Sequence, residues 1–133
     1  MSWVEIFAVL VVSHATGDYL LQTDWQATNK RGGLGRNTVA TRALFSHVFT
    51  YTLAFIPAGI WLHDFGAGGE VLLGAAIFLP HLVQDDGRLL TRYIETVKGP
   101  GAASTHSVFI TVDQTFHLLT LFAIALVAHS ALT

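Results

Sequence analysis

The stretch WVEIFAVLVVSHATGDYLLQ, residues 3–22, decides the fold. A helix of about 20 apolar residues is long enough to cross the hydrocarbon core of a bilayer. Its second half also holds an imidazole and a carboxylate, His14 and Asp18, which are four residues apart and therefore share one helix face. Such groups rarely face lipid, because a charge at the centre of a membrane helix costs about 2.5 to 3.5 kcal/mol. The stretch predicts a transmembrane helix whose polar face points at other helices.

Three further blocks have the same apolar character. They run from about residue 42 to 62, from 70 to 93 and from 107 to 131. The chain has 133 residues, of which 52% are apolar and only 12% charged. Four helices that are apolar nearly all round cannot bury one another in a soluble domain of this size. We therefore predict an all-α fold, a four-transmembrane-helix bundle that forms a single integral membrane domain over residues 1–133.

The basic residues predict how the bundle is oriented. All seven Lys and Arg lie in or beside two connections, the one between the first and second blocks and the one after the third. Short cytoplasmic loops are rich in Lys and Arg, whereas exported loops are depleted of them. A four-span arrangement with both termini on the outer side puts every basic residue in the cytoplasm. Without the third block, which has the shortest apolar run, the two basic connections would fall on opposite sides.

Composition also excludes several classes of protein. The chain has no cysteine, which rules out disulfides and cysteine-ligated zinc or iron–sulfur sites. Seven basic residues and a net charge of −2 are too little for a surface that neutralises phosphates, so no nucleic acid is expected. The expected partners are the lipid bilayer and either a second copy of the chain or another membrane protein.

Ionisable residues inside the spans form a layer. Three His/Asp pairs are four residues apart, and in each pair the aspartate is nearer the cytoplasm because the order inverts in the ascending span. The second span offers a histidine at a compatible depth. The pairs are His14 with Asp18, His81 with Asp85 and His117 with Asp113, and the fourth histidine is His47.

Neutral imidazole and ionised carboxylate together suit a divalent metal, namely zinc, iron or manganese. Seven such groups exceed the needs of one tetrahedral ion, so either two ions or one ion with an outer shell of partners would use them all. The predicted ligands are His14, Asp18, His47, His81, Asp85, Asp113 and His117. The predicted partners that orient them are Gln22, Tyr51, Gln84, Asp86 and Gln114.

Four segments also resemble a known family. They are HATGDYLLQTDWQATNK (14–30), SHVFTYTL (46–53), HLVQD (81–85) and VDQTFHLLTL (112–121). In this order they are similar to the bacterial membrane family catalogued as domain of unknown function 3307. The resemblance implies a multi-pass protein of the bacterial cytoplasmic (inner) membrane with these His and Asp residues as its signature, and it implies no activity. Gln84 and Asp86 depart from the expected family pattern, in which these positions are more apolar.

Several functions are compatible with this sequence. A metal with an open coordination position would activate water and hydrolyse a lipid-like ester or phosphoester; Thr105-His106-Ser107 is similar to a motif of bacterial membrane-bound metal-dependent hydrolases. The alternative is a non-catalytic membrane subunit in which the cluster locks helices together or binds a partner. Haem held between histidines and a proton pathway are less favoured, because a porphyrin needs apolar neighbours and the polar groups lie on one side of the membrane. His63 and His129 are assigned no role.

Overall fold

The computed structural model describes residues 1–62 and 66–132 of the chain. Within these ranges the protein is helical and contains no strand. Four helical segments are long and apolar enough to cross a membrane. They are Trp3–Leu21, Thr38–Trp61, Gly66–Asp86 and His106–Ala131. The predicted all-α fold with four long apolar helices is thus confirmed, whereas the side on which the termini lie stays a prediction.

The first segment begins as helix α1, Trp3–Ala15, and ends as a π-helical turn, Thr16–Leu21. Ser2 and Glu5 cap its start reciprocally: the Ser2 backbone N–H donates to Glu5 Oε2 at 2.7 Å, and the Glu5 N–H donates to Ser2 Oγ at 3.3 Å. A second capping box then opens the short helix α2, Asp24–Asn29. The chain therefore turns at once after the first span, which holds α2 against the bundle end.

The second segment consists of helix α3, Thr38–Leu53, and helix α4, Ile56–Trp61. It starts before the predicted residue 42 because the Asn37 side chain caps the backbone N–H groups of the first turn. Pro57 lies in the first turn of α4, where a missing N–H costs no helical hydrogen bond. The segment continues across this break to the predicted end of the span.

The third segment is helix α5, Gly66–Asp86, and it does not extend to Tyr93 as predicted. Gly87 has a φ of +76°, a left-handed conformation that ends the helix. Glycine adopts this conformation without the steric strain that a Cβ would cause. A separate helix, α6, follows over Arg88–Lys98. It buries Leu90 and Ile94 on one face, as an amphipathic helix at the rim of the bundle.

The fourth segment, helix α7, spans His106–Leu132 after a 3₁₀ turn at Ala102–Ser104. Helix α1 packs against α7, α3 against α5, and α5 against α7, while α2 covers the end of α3. The apolar core lies on the side of the bundle that contains the chain termini. It comprises Ile6, Leu10, Tyr51, Phe55, Ala58, Leu62, Leu73, Ile77, Leu121, Ala125 and Ala128.

Residues 63–65 lie outside the described ranges. They include His63, which was assigned no role, and Asp64, one of the acidic residues of the predicted outer connection.

Candidate metal centre

Four buried side chains, from the π-helical turn of the first segment, from α3 and from α5, bring one ligand atom each to a common point. These atoms are Asp18 Oδ1, His47 Nε2, His81 Nε2 and Asp85 Oδ2. The two nitrogens lie 3.0 Å apart. His47 Nε2 is 2.8 Å from Asp85 Oδ2 and 3.3 Å from Asp18 Oδ1. The corresponding distances from His81 Nε2 are 3.2 and 3.6 Å.

These separations match those between the ligands of a tetrahedral ion. Zinc bonded at about 2.0–2.1 Å to nitrogen and oxygen holds neighbouring ligand atoms about 3.3 Å apart. Two imidazole nitrogens at 3.0 Å repel through their lone pairs unless they share a proton or a cation. A single divalent ion would satisfy both nitrogens and both carboxylates at once. We call this set of four residues the closed group.

The closed group is withdrawn from solvent and is incompletely hydrogen-bonded. Its four residues are between 0% and 8% exposed. Asp18 Oδ1 approaches His47 but, among the described residues, has no partner with hydrogen-bond geometry. A buried polar atom without a partner costs about 1–3 kcal/mol, so such an atom in a native protein usually has a functional explanation.

A second set of residues shares one carboxylate with the first. Asp85, Asp113 and His117 offer ligand atoms that lie within 4.8 Å of one another. Asp85 Oδ1 is 3.4 Å from His117 Nε2, while its other oxygen faces the closed group. His117 Nδ1 lies 2.8 Å from the Asp113 backbone oxygen, so that nitrogen carries a proton; in the neutral ring, Nε2 then has the lone pair that a metal would use. We call Asp85, Asp113 and His117 the open group, since Asp85 and Asp113 border a cavity.

The local structure explains how α1 comes close enough to supply Asp18. Gly17 lies against Tyr51 of α3, where a Cβ would be 2.6 Å from Tyr51 Cδ2. The Tyr51 ring in turn stacks on His81 of α5, with centroids 3.4 Å apart and planes within 3° of parallel. Glycine on one helix and stacked rings on the next two therefore fix the spacing of the site.

His14, a predicted ligand, lies outside both groups. Its Nδ1 is 3.0 Å from Tyr51 Oη and its Nε2 is 2.9 Å from Gln114 Oε1, so both ring nitrogens already have partners. The ring also stacks on His117 at a centroid distance of 5.4 Å. His14 therefore positions its neighbours, and the i,i+4 spacing to Asp18 alone does not distinguish this role from ligation.

Three of the residues predicted to orient the ligands contact either a predicted ligand or a residue that holds one in place. Gln114 Nε2 donates to the carboxylates of Asp18 and Asp113, each at 3.3 Å. Tyr51 holds His14 and His81, as described above. The Gln22 side chain, with its amide oriented to suit its neighbours, accepts from Lys30 Nζ at 2.6 Å and donates to the Asp18 backbone oxygen at 3.3 Å.

Gln84 and Asp86 have other contacts. Gln84 Nε2 donates to Thr120 Oγ1 at 2.8 Å and so ties α5 to α7. Asp86 accepts from the Leu34 backbone N–H at 2.8 Å and from Arg88 Nε at 2.6 Å. The bond to Asp86 raises the pKa of the Arg88 guanidinium. In the structure, the Asp86 carboxylate thus organises the connection that leads into α3, and its predicted role beside a metal stays a prediction.

Sequence reasoning missed Lys30 as a member of the site. Its Nζ lies 2.6 Å from Asp85 Oδ2, the oxygen that also belongs to the closed group. In the sequence analysis, Lys30 is only one of the basic residues that predict which connections are cytoplasmic. The sequence feature that could have identified Lys30 is its position as the last residue of the first family-like segment, next to α2.

A cavity of about 280 Å³ leads from the rim of the bundle to the carboxylates. Asp18, Asp85 and Asp113 line its inner end. Lys30, Arg31 and His106 line it as well and bring basic side chains to the same space. The open group is thus accessible to a small polar molecule, whereas His47 and His81 do not line this cavity.

Together, the fold and the site define a class: an all-helical protein with four helices able to span a membrane and buried His/Asp groups able to hold a metal ion. Residues 6–133 match the family described as "Protein of unknown function (DUF3307)", and the chain belongs to this family. No curated protein and no solved structure matches the chain.

Proposed function

We propose that this protein is a multi-pass membrane protein that binds a divalent metal ion at the closed group. The observation that carries the proposal is the convergence of two imidazole nitrogens and two carboxylate oxygens at 2.8–3.6 Å. Two nitrogen and two oxygen ligands in tetrahedral spacing favour zinc, with iron and manganese as the other candidates. Burial of two aspartates in a membrane is tolerable when a bound cation offsets their charge.

The open group supports a second, chemically different position. Two of its three ligands, Asp85 and Asp113, line the cavity. Three protein ligands would leave coordination positions on that side for water and substrate, which is the arrangement of catalytic rather than structural zinc. A carboxylate shared by two ions about 3.5–4 Å apart is typical of hydrolytic two-metal centres. Asp85, with one oxygen toward each group, is suited to this bridging role. We therefore propose a metal-dependent hydrolase that acts on a lipid-like ester or phosphoester.

The reaction needs no oxidant or reductant. Hydroxide from water forms a bond to the acyl carbon or the phosphorus, the ester bond to the leaving oxygen breaks, and the remaining proton of water goes to the departing alcohol. A divalent ion, when bound, would lower the pKa of its bound water and polarise the substrate oxygen. The chain supplies the fixed geometry: His14, Tyr51 and Gln114 hold the ligands in place.

A second candidate function is supported by Lys30. Its ammonium neutralises Asp85 at 2.6 Å and thereby stabilises a buried carboxylate without any metal. In that case the cluster locks the helices of a non-catalytic membrane subunit. A haem is less compatible with the geometry, since 3.0 Å between His47 Nε2 and His81 Nε2 leaves no space for iron and a porphyrin between these two rings.

Elemental analysis of gently solubilised protein distinguishes these functions. The wild-type protein should copurify with about one to two divalent ions per chain. Asp85→Asn removes a ligand from both groups while preserving shape, so metal content should fall to background. Asp24→Asn is the matched control, because Asp24 is exposed at the start of α2 and should leave the metal content unchanged.

The same preparations test hydrolysis with a chromogenic p-nitrophenyl ester and a phosphodiester in micelles. Activity should disappear with a chelator, return with added zinc or manganese, and be absent in Asp85→Asn. Metal without metal-dependent hydrolysis would overturn the hydrolase and leave the metal site. Absence of metal even after incubation with zinc, iron and manganese, together with a lower melting temperature of Asp85→Asn, would establish the lock instead.

A further inference from the structure

A groove of about 610 Å³ runs along the lipid-facing side of the bundle between α5 and α7. Its wall is formed almost entirely by apolar side chains, and small residues such as Gly69, Ala76 and Ala123 create its width. Thr120 is the polar exception in the wall, and its hydroxyl is already bonded to Gln84 Nε2 and to the Phe116 backbone oxygen. From Thr120 to Ala131 the groove follows α7 for about 16 Å, at about 1.5 Å per residue.

The groove and the polar cavity are consecutive along the same two helices. Pro80 lines the groove, and Gln84, one helical turn further along α5, lines the cavity. On α7 the order is the same: Thr120 borders the groove and Asp113 the cavity. The Gln84–Thr120 hydrogen bond of 2.8 Å marks the boundary between them. A molecule that follows both spaces must be apolar at one end and polar at the other.

With metal ions bound at the proposed centre, the polar end of this path would select for negative charge. Lys30, Arg31 and His106 line the cavity, and metal ions at the proposed centre would offset the carboxylates at its inner end. Arg31 is held there by a cation–π contact, with its Cζ 3.6 Å from the centre of the Phe109 ring. A volume of about 280 Å³ is enough for a small head group such as a phosphate with a few carbons.

The shape and lining of the groove fit an acyl chain. It is about 16 Å long and narrow, and its wall is apolar like a lipid tail. Within a membrane, lipid tails are as apolar as the groove wall, so a groove of chain width is filled by a chain through close van der Waals contact.

We propose that the α5/α7 groove holds one acyl chain of a lipid with a small anionic phosphate head, and that the head occupies the cavity beside Asp85 and Asp113. This inference rests on the proposed function, because it specifies the substrate class of the same centre. The acyl chain determines where the lipid lies, and the basic side chains of the cavity determine which head group is accepted.

The test measures binding of dioleoyl phosphatidic acid to the metal-loaded protein in detergent by native mass spectrometry. Phosphatidic acid should bind at least about tenfold more tightly than phosphatidylcholine of the same chains. Ala76→Phe fills the groove and should weaken phosphatidic acid binding by about tenfold or more. Ala75→Phe is the matched control: the neighbouring alanine is exposed and does not line the groove, so binding should be unchanged.

Glycerol 3-phosphate distinguishes the lipid from its head group alone. It should bind weakly, and equally to the wild type and to Ala76→Phe, since it has no chain. Equal effects of Ala75→Phe and Ala76→Phe on phosphatidic acid would overturn the groove as the chain site. Glycerol phosphate binding as tight as that of the lipid would overturn the lipid and assign the cavity to a soluble phosphate.

Metal content is measured in every variant, so the two proposals fail separately. If no preparation binds metal but phosphatidic acid still binds more weakly to Ala76→Phe than to Ala75→Phe, the proposal for the groove is supported and the proposal for the metal centre is overturned. If metal is retained but phosphatidic acid binds equally to the two variants, the proposal for the metal centre is supported and the proposal for the groove is overturned.

Discussion

The two halves of this bundle are held together differently, although the same four helical segments build both. Toward the chain termini, side chains such as Ile6, Leu10 and Leu62 are completely buried in an apolar core. About one helical turn beyond, the interior consists of imidazoles, carboxylates and an amide. Tyr51 lies at the boundary, since it belongs to the apolar core and also bonds to His14.

The difference teaches which half serves stability and which serves chemistry. Apolar packing satisfies every atom it buries, whereas the polar half buries His47 Nδ1, His81 Nδ1 and His117 Nε2 with no hydrogen-bond partner among the described residues. Unsatisfied groups of this kind lower stability rather than raise it. A bundle selected only for cohesion would continue the apolar core, and this contrast supports the ligand-binding role proposed for the polar half.

The largest expected effect concerns the two ends of the bundle, which should lie on opposite sides of the membrane. The chain has no cysteine, so a single introduced cysteine reports its own position. Gly68→Cys, at the acidic end, should be labelled by a membrane-impermeant maleimide in intact cells. Arg36→Cys, in the basic connection, should be labelled only after the cells are permeabilised. The opposite pattern would reverse the orientation and place the polar half in the outer leaflet.

The next effect should separate stability from metal binding. Leu10→Ala opens a cavity in the apolar half, because Leu10 is 0% exposed, and should lower the free energy of unfolding by about 2 kcal/mol or more. Val12→Ala changes a side chain that is 67% exposed on the same helix, so its effect should stay within about 0.5 kcal/mol. Denaturation in detergent measures both. Metal content should equal that of the wild type in each variant; its loss in Leu10→Ala would mean that the halves are not independent.

The smallest effect is expected at the boundary between the halves. Tyr51→Phe removes the hydroxyl that bonds to His14 Nδ1 but keeps the aromatic ring that stacks on His81. The free energy of unfolding should fall by about 1 kcal/mol. Metal content should not change, because His14 belongs to neither ligand group. A fall in metal content as large as that of Asp85→Asn would show that the hydrogen bond between Tyr51 and His14 is required to hold the ligands in place.

Much of this architecture could be predicted from the sequence because its physical causes are local. Hydropathy and helix length determine the four segments, and an i,i+4 spacing places His81 and Asp85 on one face whatever the surroundings. The end of α5 at Asp86 was missed although its signal was present, since Gly87 followed by a new charged stretch is a helix terminator.

Other parts of the site depend on tertiary structure and could not be predicted. The spacing of His14 and Asp18 resembles that of His81 and Asp85, yet only three of these four residues enter the closed group. The rotation of α1 against Tyr51 and Gln114 decides this, and no local pattern encodes it. The contact of Lys30 with Asp85 joins residues that are distant in the chain and depends on how α2 folds back.

The π-helical turn at Thr16–Leu21 gives the polar end of the bundle an unusual sensitivity to chain length. A π turn accommodates one surplus residue, and each residue of an ordinary α-helix advances the direction of the chain by about 100°. Deleting a single lipid-facing residue here, such as Leu20, would leave an apolar helix long enough for the bilayer. It would nevertheless swing α2 and the ammonium of Lys30 to another side of the bundle. In this segment, the register of the backbone therefore determines whether Lys30 reaches Asp85.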